Sequence, residues 1–318
     1  MVSEFDLIRR YFTRPARGAR LGVGDDAALL PSPNGQDIVV STDTLVSGVH
    51  FFPDADPRAL GHKALAVNLS DLAAMGAKPR WALLAITVPD ANERWLAEFS
   101  DGLFRLADDY DVELVGGDTT RGPRSITITV IGEIGMGKAL TRSGARVGDE
   151  LWVSGVLGSA ALGVLHLKGD LRLKGLDLEH CLTRLHRPVP RVALGCGLVG
   201  IASAAIDVSD GLAADVGHIA ESSGVGFRID YGAVPCTPEV EGLKNLPAVR
   251  QAVLAGGDDY ELAFTAPPRQ SAAITALSAR LGVGLTRIGT AIEGGGVQIF
   301  NSAGKPIALE ATGFDHFR

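Results

Sequence analysis

The sequence predicts an α/β or α+β fold, because apolar strand-like and helix-like segments nearly alternate along its 318 residues. That length fits two domains better than one large core. The composition, with 46% hydrophobic residues, 40 glycines and 6% aromatic residues, is typical of tight turns joining short strands and helices. From Gly135 to Asp149 the pattern gives way to Gly, Lys, Arg and Ser, and we place a domain junction there.

The charge pattern argues against two classes of partner. A net charge of −7 without a run of Lys or Arg disfavours nucleic acid. No apolar run approaches the roughly 18 residues of a membrane span, and MVSEFDLIRRYF lacks the features of a signal peptide. We therefore expect a cytoplasmic protein without a membrane partner. Cys181, Cys196 and Cys236 fit neither a metal site nor a disulfide framework, and we expect buried free thiols.

The first half of the chain contains clear start and stop signals. Asp56 and Pro57 begin a helix that Gly76 ends, and Asn92 caps a second helix that reaches Tyr110. The predicted strands are Ile38–Ser41, Trp81–Val88, Val112–Val115 and Ser125–Ile131. The first leads into Ser-Thr-Asp-Thr and the third into Gly-Gly-Asp, and the alternation of the last indicates a half-exposed strand.

The second half continues the same alternation. Its predicted elements are a strand at Leu151–Ser154, a helix from about Ser159, a strand at Ala204–Val208, a helix at Leu212–Ser222 ended by Gly224, a strand at Tyr260–Thr265, a helix ending at Leu281 and two closing strands.

A weak internal repeat connects the two halves. NLSDLAAMG at 68–76 resembles DVSDGLAADVG at 207–217, and VGGDTT at 115–120 resembles AGGDDYE at 255–261. The offsets agree, since 210 − 71 = 139 and 258 − 118 = 140. We therefore expect corresponding segments to lie in similar places in two duplicated units.

Acidic residues recur at the ends of apolar runs, beside glycine or a hydroxyl. They are Asp26, Asp43, Asp71, Asp118, Asp207, Asp210, Asp258 and Asp259. Each alone fits a helix cap or a turn, but the set on a shared repeat favours convergence in one cleft. Carboxylates that close would repel each other unless cations neutralised them. Hard oxygen ligands, with Ser41 and Thr42, select Mg²⁺ over zinc or copper, so the sequence predicts a site for several Mg²⁺ ions.

Such a site beside glycine-flanked loops indicates phosphate chemistry, since Mg²⁺ typically binds through carboxylates and the phosphates of the substrate. Arg142 offers a planar guanidinium suited to phosphate, and a solvated surface arginine is the other interpretation. His50 is either a surface or packing residue or a contact to a phosphate or an organic substrate. Phe314 is either part of the core or a platform for a flat cationic ring.

Two short motifs are rejected. GEIGMGKA at 132–139 meets the P-loop spacing, but Ala139 stands where Ser or Thr is required and no helix follows. GGDDYE is similar to the diguanylate cyclase signature, but that signature is short and the duplicated halves do not fit a single cyclase domain.

As an ordered set, the motifs resemble the thiamine-monophosphate kinase family, part of a superfamily that includes aminoimidazole-ribonucleotide synthetase and selenophosphate synthetase. The matching stretches run from residue 3 to 317 and are SEFDLI, GVGDDAAL, STDTLVSGVHF, NLSDLAAMGAKPRWAL, GGDTTRG, LTRSGARVGD, AIDVSDGL, GGDDYEL and GFDHF. Asp258 stands where the family commonly has Glu, and Phe314 where it often has Trp.

The resemblance implies ATP-dependent phosphorylation of thiamine monophosphate to thiamine diphosphate, the last step of thiamine diphosphate biosynthesis. The lack of an obvious general base predicts direct in-line transfer. The resemblance implies Asp43, Asp118 and Arg142 as catalytic residues. The implied Mg²⁺ ligands are Asp26, Ser41, Thr42, Asp43, Asp71, Asp118, Asp207 and Asp210. The implied ATP contacts are Gly117, Asp118, Arg142 and Ser209, and the implied contacts to thiamine monophosphate are His50, Asp258 and Phe314.

The resemblance also implies an aminoimidazole-ribonucleotide synthetase-like architecture. Two copies would form a homodimer in which the N-terminal domains, residues 1–137, join their sheets into a barrel. A C-terminal α/β domain, residues 149–318, would flank it on each side. The alternatives are a related synthetase of the aminoimidazole-ribonucleotide type and a non-catalytic nucleotide-binding maturation factor. Selenophosphate synthetase is disfavoured because the first cysteine is Cys181.

Overall fold

The computed structural model describes residues 8, 13 and 18–316 and contains two mixed β-sheets. The first has the strand order β1-β2-β5-β3-β4 and the second β11-β8-β10-β6-β9-β7. The strands are β1 (Ala28–Pro31), β2 (Gln36–Val46), β3 (Lys78–Val88), β4 (Glu113–Arg121), β5 (Ser125–Gly135), β6 (Glu150–Ser154), β7 (Ala204–Val208), β8 (Gly226–Asp230), β9 (Glu261–Ala266), β10 (Leu285–Ile292) and β11 (Gly296–Phe300). The SEFDLI stretch, apart from Ile8, and Phe317 of GFDHF lie outside the described residues.

The helices begin largely where the sequence signals predicted. They are α1 (Pro57–Ala74), α2 (Glu93–Asp109), α3 (Ser159–Lys168), α4 (Gly175–His186), α5 (Val192–Leu198), α6 (Leu212–Ser223), α7 (Pro238–Leu243), α8 (Pro247–Ala255) and α9 (Ser271–Leu281). The Asp56 carboxylate accepts the N–H of Ala59 at the start of α1, and the Asn92 side chain accepts the N–H of Trp95 at the start of α2. Both caps satisfy backbone donors that the first helical turn leaves unpaired.

Four strands of the first sheet, β2 to β5, are longer than the sequence predicted, and two of them extend through acidic motifs. Strand β2 continues through Ser-Thr-Asp-Thr to Val46, and β4 contains Gly-Gly-Asp rather than ending before it. The prediction that Asp43 and Asp118 follow strand ends was therefore wrong. The reason is pairing: β2 is matched residue by residue to β5 over its whole length, so the ladder satisfies its backbone whatever the local side chains prefer.

The internal repeat does not mark equivalent positions, contrary to our expectation. Asp71 lies in the last turn of α1, whereas Asp210 lies in the loop before α6. Asp118 lies inside β4, whereas Asp258 lies in the loop between α8 and β9. Such short motifs do not set the element that contains them, because tertiary pairing overrides local preference.

Helix α1 lies between the two sheets and is buried on nearly every side. It contacts β2, β5 and α2 from the first half, and α5, β7 and β9 from the second. Its Leu65, Leu69 and Leu72 belong to one apolar cluster that also contains Leu262 and Phe264 of β9. The two halves therefore share a core, which fixes the loops of one sheet relative to the other.

The first sheet has one covered and one open face. Alternation along β2 turns Ser41 and Asp43 towards α1, in register with the buried Val130 and Ile128 of β5. The opposite face carries exposed side chains, among them Thr42, Thr44, Leu83 and Ala85.

No helix among residues 18–316 is long and apolar enough to cross a bilayer. Cys181 is buried, but Cys196 in the short helix α5 is exposed and Cys236 is partly exposed, so the expectation of three buried thiols was wrong for two of them.

Candidate active site

Three carboxylates from separate parts of the chain meet between the two sheets. Asp26 lies in the loop before β1, Asp71 in the last turn of α1 and Asp207 near the end of β7. One carboxylate oxygen of each lies within 4.8 Å of the other two. The sequence predicted that acids from both halves converge, and these three residues do so.

Each of these carboxylates is held by a neighbouring side chain. The Ser41 hydroxyl donates to Asp71 Oδ2 at 2.5 Å, and the Ser70 hydroxyl donates to Asp207 Oδ2 at 2.6 Å. Asp26 Oδ1 accepts from the guanidinium of Arg142, at 2.6 Å from Nη2. Asp26 Oδ2 is buried and has no hydrogen-bond partner among residues 18–316.

Burial and mutual repulsion make these acids weak in the absence of cations. Burial, with the nearby charge of Asp26, raises the pKa of Asp207 to about 8. Burial, followed by the charges of Asp43 and Asp207, raises the pKa of Asp71 well above its ordinary value. One buried oxygen here has no hydrogen-bond donor, and the neighbouring carboxyls resist ionisation. A bound divalent cation would stabilise their ionised forms.

Asp43 lies next to this group, whereas the side chain of Thr42 does not. The charge of Asp43 acts on both Asp71 and Asp207, and its backbone N–H donates to Asn68 Oδ1 at 3.0 Å. Thr42 points to the open face, where its hydroxyl donates to the Ile128 carbonyl at 3.1 Å. Its part in metal binding stays a prediction.

Asp118 is far from the carboxylates of its own chain. Asp118 is exposed and is paired with Ala85 of β3. Across the next two strands the same row continues through Thr127 of β5 to Thr44 of β2. Three strand spacings separate Asp118 from Thr44, about 14 Å. Paired residues point to the same side of a sheet, so Asp118 shares the open face with Thr44 and does not face α1.

The residues expected at ATP are held in defined conformations. Gly117 has φ +148°, and a Cβ there would lie 1.8 Å from the Leu84 carbonyl oxygen, so only glycine fits. The Ser209 carbonyl accepts the N–H of Asp258 at 2.8 Å. Arg142 is not a solvated surface arginine, because its side chain is 17% exposed and its guanidinium pairs with Asp26.

Asp25 is a site residue that the sequence reasoning missed. Its carboxylate accepts the backbone N–H of Arg142 at 3.1 Å, while Asp26 binds the guanidinium of the same residue. Burial, with the charge of Asp26, raises the pKa of Asp25 to about 6. The doublet of aspartates in GVGDDAAL was the available signal, and it fixes the interdomain segment to the carboxylate site.

A second region, next to the carboxylates, forms a cavity of about 200 Å³ whose lining includes His50, Phe51, Lys63 and Asp258. The Lys63 ammonium, on α1, lies 3.0 Å from Asp258 Oδ1, and its side chain is only 4% exposed. The sequence reasoning missed Lys63, although a lysine within the apolar stretch GHKALAVNL was a visible signal. The cavity therefore has charges of both signs on an aromatic and apolar wall.

The C-terminal segment passes the loop that carries Asp210. The Phe314 N–H donates to the Asp210 carbonyl at 3.0 Å, and the Asp210 N–H donates to Asp215 Oδ2 at 3.2 Å. Phe314 is 49% exposed, which excludes its interpretation as part of the core. Asp210 lies one loop away from the three clustered carboxylates, and its part in metal binding stays a prediction.

Comparison with known proteins agrees with this architecture. The chain matches the family models of the AIR synthase related protein, N-terminal domain, over residues 24–134, and of its C-terminal domain over residues 146–301. The fold is thus that of a two-domain AIR synthase related protein.

Individual relatives show to which family within this group the chain belongs. Thiamine-monophosphate kinase of Escherichia coli K12 is 48% identical over 322 residues, covering 99% of this chain and 98% of that protein. The crystal structure of thiamine-monophosphate kinase from Stenotrophomonas maltophilia K279a has 47% identity and a TM-score of 0.80, covering 94% of this chain and 96% of the other. AaThiL complexed with AMPPCP and TMP has 31% identity and a TM-score of 0.86, covering 99% and 97%. The chain belongs to the thiamine-monophosphate kinase family.

Proposed function

We propose that the chain transfers the terminal phosphoryl group of ATP to thiamine monophosphate, giving ADP and thiamine diphosphate, on a magnesium site that contains Asp26, Asp71 and Asp207. The observation that carries this proposal is the meeting of these three carboxylates beside Arg142 and a cavity of mixed charge. Relatives that cover the full chain are thiamine-monophosphate kinases, and the AaThiL structure holds AMPPCP and TMP. The proposed compartment is the cytoplasm, where ATP is available.

The donor set fits magnesium. All three clustered side chains offer carboxylate oxygens, and Asp26 Oδ2 is buried without a hydrogen-bond partner in the described part of the chain. When bound, Mg²⁺ would neutralise these carboxylates together with the phosphate oxygens of both substrates. We include Ser41, Thr42, Asp43, Asp118 and Asp210 in the proposed metal-binding set.

The protein's own residues account for the remaining requirements of the reaction. Arg142, fixed by Asp25 and Asp26, keeps further guanidinium N–H groups that can balance charge on the transferred phosphoryl group. His50, Asp258 and Phe314, with Lys63, would bind thiamine monophosphate and align its phosphate with ATP. The acceptor is already an anion near neutral pH, so in-line transfer needs no strong general base.

We further propose a homodimer in which Gly117 and Asp118 complete the site of the second copy. In its own chain Asp118 lies about 14 Å from Thr44 by strand spacing, on the open face of the sheet. That face exposes Leu83 (37%) and Val46 (36%) beside a row of threonines, a surface suited to a second sheet. Closure of the two sheets into a barrel would cover this face and pair the edge strand β4.

The test is an assay of the purified chain with ATP, Mg²⁺ and thiamine monophosphate, with the products resolved by chromatography. We expect equimolar ADP and thiamine diphosphate, and no free phosphate. Asp26→Asn, Asp43→Asn and Asp118→Asn should each reduce turnover at least about a hundredfold while the thermal transition is retained. ATP consumption that releases phosphate without thiamine diphosphate would reject the kinase and favour the synthetase alternative.

A further inference from the structure

Three aromatic rings form a continuous row beside the substrate cavity, and the middle ring is His316, which the sequence reasoning assigned no role. The rings of His50 and His316 have centroids 4.9 Å apart, inclined at 53°. The rings of Phe314 and His316 also have centroids 4.9 Å apart, and they meet edge to face at 86°. We call His50, His316 and Phe314 the ring wall. Its first member lines the cavity, and the other two are exposed.

Both nitrogens of His50 are engaged, so its ring has no polar atom left for a ligand. Nδ1 accepts the backbone N–H of Val46 at 3.0 Å, which places the proton of the neutral ring on Nε2. Nε2 lies 3.3 Å from Nε2 of His316, which must then be unprotonated and accept. Only one proton fits between the two nitrogens. The contact therefore keeps a neutral pair and leaves the ring faces as the binding surface.

The segment that carries His316 is anchored to the second half of the molecule. The Gln251 side chain on α8 donates to the Ala311 carbonyl at 2.7 Å and accepts the Glu310 N–H at 3.3 Å. The Phe314 N–H donates to the Asp210 carbonyl at 3.0 Å. From these anchors the segment reaches His50, which belongs to the first half. The ring wall thus lies between the loop that carries Asp210 and the cavity that His50 lines.

We propose that His316 is a substrate-binding residue whose neutral ring, between those of His50 and Phe314, packs against a flat heteroaromatic ring of the phosphate acceptor. This inference rests on the proposed function, because thiamine monophosphate carries two flat rings, one of them a permanent cation. The face of a neutral aromatic ring attracts a cation, whereas a protonated imidazole repels it. Asp258 lies close enough to His50 for its charge to act on that ring, and the same carboxylate would favour a cationic substrate.

The test compares His316→Ala with His316→Phe, and uses Phe104→Ala, which removes an exposed ring on α2, as a matched control. We expect His316→Ala to raise the KM for thiamine monophosphate about tenfold and to leave the KM for ATP unchanged. His316→Phe keeps the ring without the hydrogen bond, so its KM should stay within about threefold of the parent value. Phe104→Ala should change neither constant.

The pH profile gives an independent readout. Burial, followed by the proximity of His316, lowers the pKa of His50 below its ordinary value of 6.5. In the parent protein the KM for thiamine monophosphate should therefore stay constant near neutral pH and rise only as the pH falls below that value, because protonation of His50 repels the cationic ring. Lys63, Asp258 and His316 are the charged or titratable groups that act on His50. Lys63 and Asp258 persist in every variant, so a profile displaced to higher pH in His316→Phe reports the loss of the contact between His316 and His50.

Two outcomes would overturn the inference: an unchanged KM for thiamine monophosphate in His316→Ala, or a His316→Phe variant as impaired as His316→Ala. The second outcome would assign His316 to hydrogen bonding with His50 instead of ring packing. Failure of the proposed function is distinguishable, since it appears as absence of thiamine diphosphate from the parent protein before any variant is compared.

Discussion

At the scale of one residue, Asp207 shows that the carboxylate site lowers the stability of the folded chain, and that a bound metal ion would restore it. Its pKa of about 8 in the folded chain lies above its ordinary value of 3.8. Between these pH values the folded state holds a proton that the unfolded state has released, so the free energy of unfolding decreases as pH rises through the window. Below it, the two states are equally protonated and the penalty is absent.

We therefore expect the metal-free protein to lose thermal stability between about pH 5 and about pH 8, and Mg²⁺ to restore it at the alkaline end by binding the ionised carboxylates. Melting curves with EDTA or with Mg²⁺ across this range measure the effect. Asp207→Asn cannot ionise and serves as the control, with a flatter profile. A melting temperature that rises with pH and ignores Mg²⁺ would show that these acids do not form a cation site.

Lys63 makes a second prediction at this scale. Its ammonium is almost fully buried and pairs with Asp258 at the cavity, so Lys63→Met leaves that carboxylate without its cation. We expect the KM for thiamine monophosphate to rise about tenfold or more, with partial recovery in Lys63→Arg. Lys168→Met, which alters an exposed lysine of the same cavity, is the matched control and should change KM less than about threefold. Equal effects of both methionine variants would refute a specific role for the Lys63 pair.

At the scale of elements, the loop between α8 and β9 is held in a conformation that few residues adopt freely. Asp258 has φ +71° and Tyr260 has φ +49°, both in the left-handed region. The N–H groups of these residues donate to the Ser209 and Val208 carbonyls, each at 2.8 Å. Just beyond the loop, Glu261 is fully buried and accepts from Ser154, Arg184 and Arg191. These contacts fix the segment that presents Asp258 to the cavity.

Glu261→Gln should therefore destabilise the protein strongly, because it leaves two largely buried arginines without a carboxylate. Breaking a buried ion pair costs about 3–5 kcal/mol, whereas an exposed pair contributes about 0–1 kcal/mol. Arg287→Gln removes the more exposed pair with Glu150 on the same sheet and is the control. Urea unfolding of both variants measures the difference. Similar midpoints would mean that the Glu261 cluster does not anchor this loop.

The same elements show what the sequence could and could not predict. The starts of α1 and α2 followed from Asp56 and Asn92, because a cap acts within one helical turn. The ends of β2 and β4 did not, because strand length depends on partners far along the chain. The convergence of Asp26, Asp71 and Asp207 followed from residue type and position.

The partners of these site residues were less accessible to sequence reasoning. The pair of Lys63 with Asp258 joins residues that are 258 − 63 = 195 positions apart, and no local pattern encodes it. The contact between His50 and His316 likewise spans 266 positions. The directions of the Ser41 and Thr42 side chains could not be predicted either. Because Ser-Thr-Asp-Thr lies inside a strand, Ser41 faces Asp71 and Thr42 points to the opposite side.

At the scale of the whole molecule, the open face of the first sheet makes the proposed dimer testable. We expect light scattering to give twice the chain mass, and Leu83→Arg, which places a charge on that face, to shift the protein towards monomer with a loss of activity.

If Asp118 serves the other copy, inactive Asp26→Asn and Asp118→Asn chains that are unfolded, mixed and refolded together should regain activity. In mixed dimers one site would contain both native carboxylates.

Equal mixing gives half mixed dimers with one complete site each, so about a quarter of the parental activity should return. Each variant refolded alone is the control and should stay inactive. A mixture without activity, from chains that do form mixed dimers, would place Asp118 outside the partner's site.

Helix α1, wedged between the sheets, has a consequence for how the molecule can be divided. Its leucines belong to a cluster that both halves contribute to. A fragment that ends before the second sheet would expose the side of α1 that contacts α5, β7 and β9, and the complementary fragment would lack α1. Although the chain has two domains, we expect it to unfold in one cooperative transition. We also expect that neither domain folds stably when it is expressed alone.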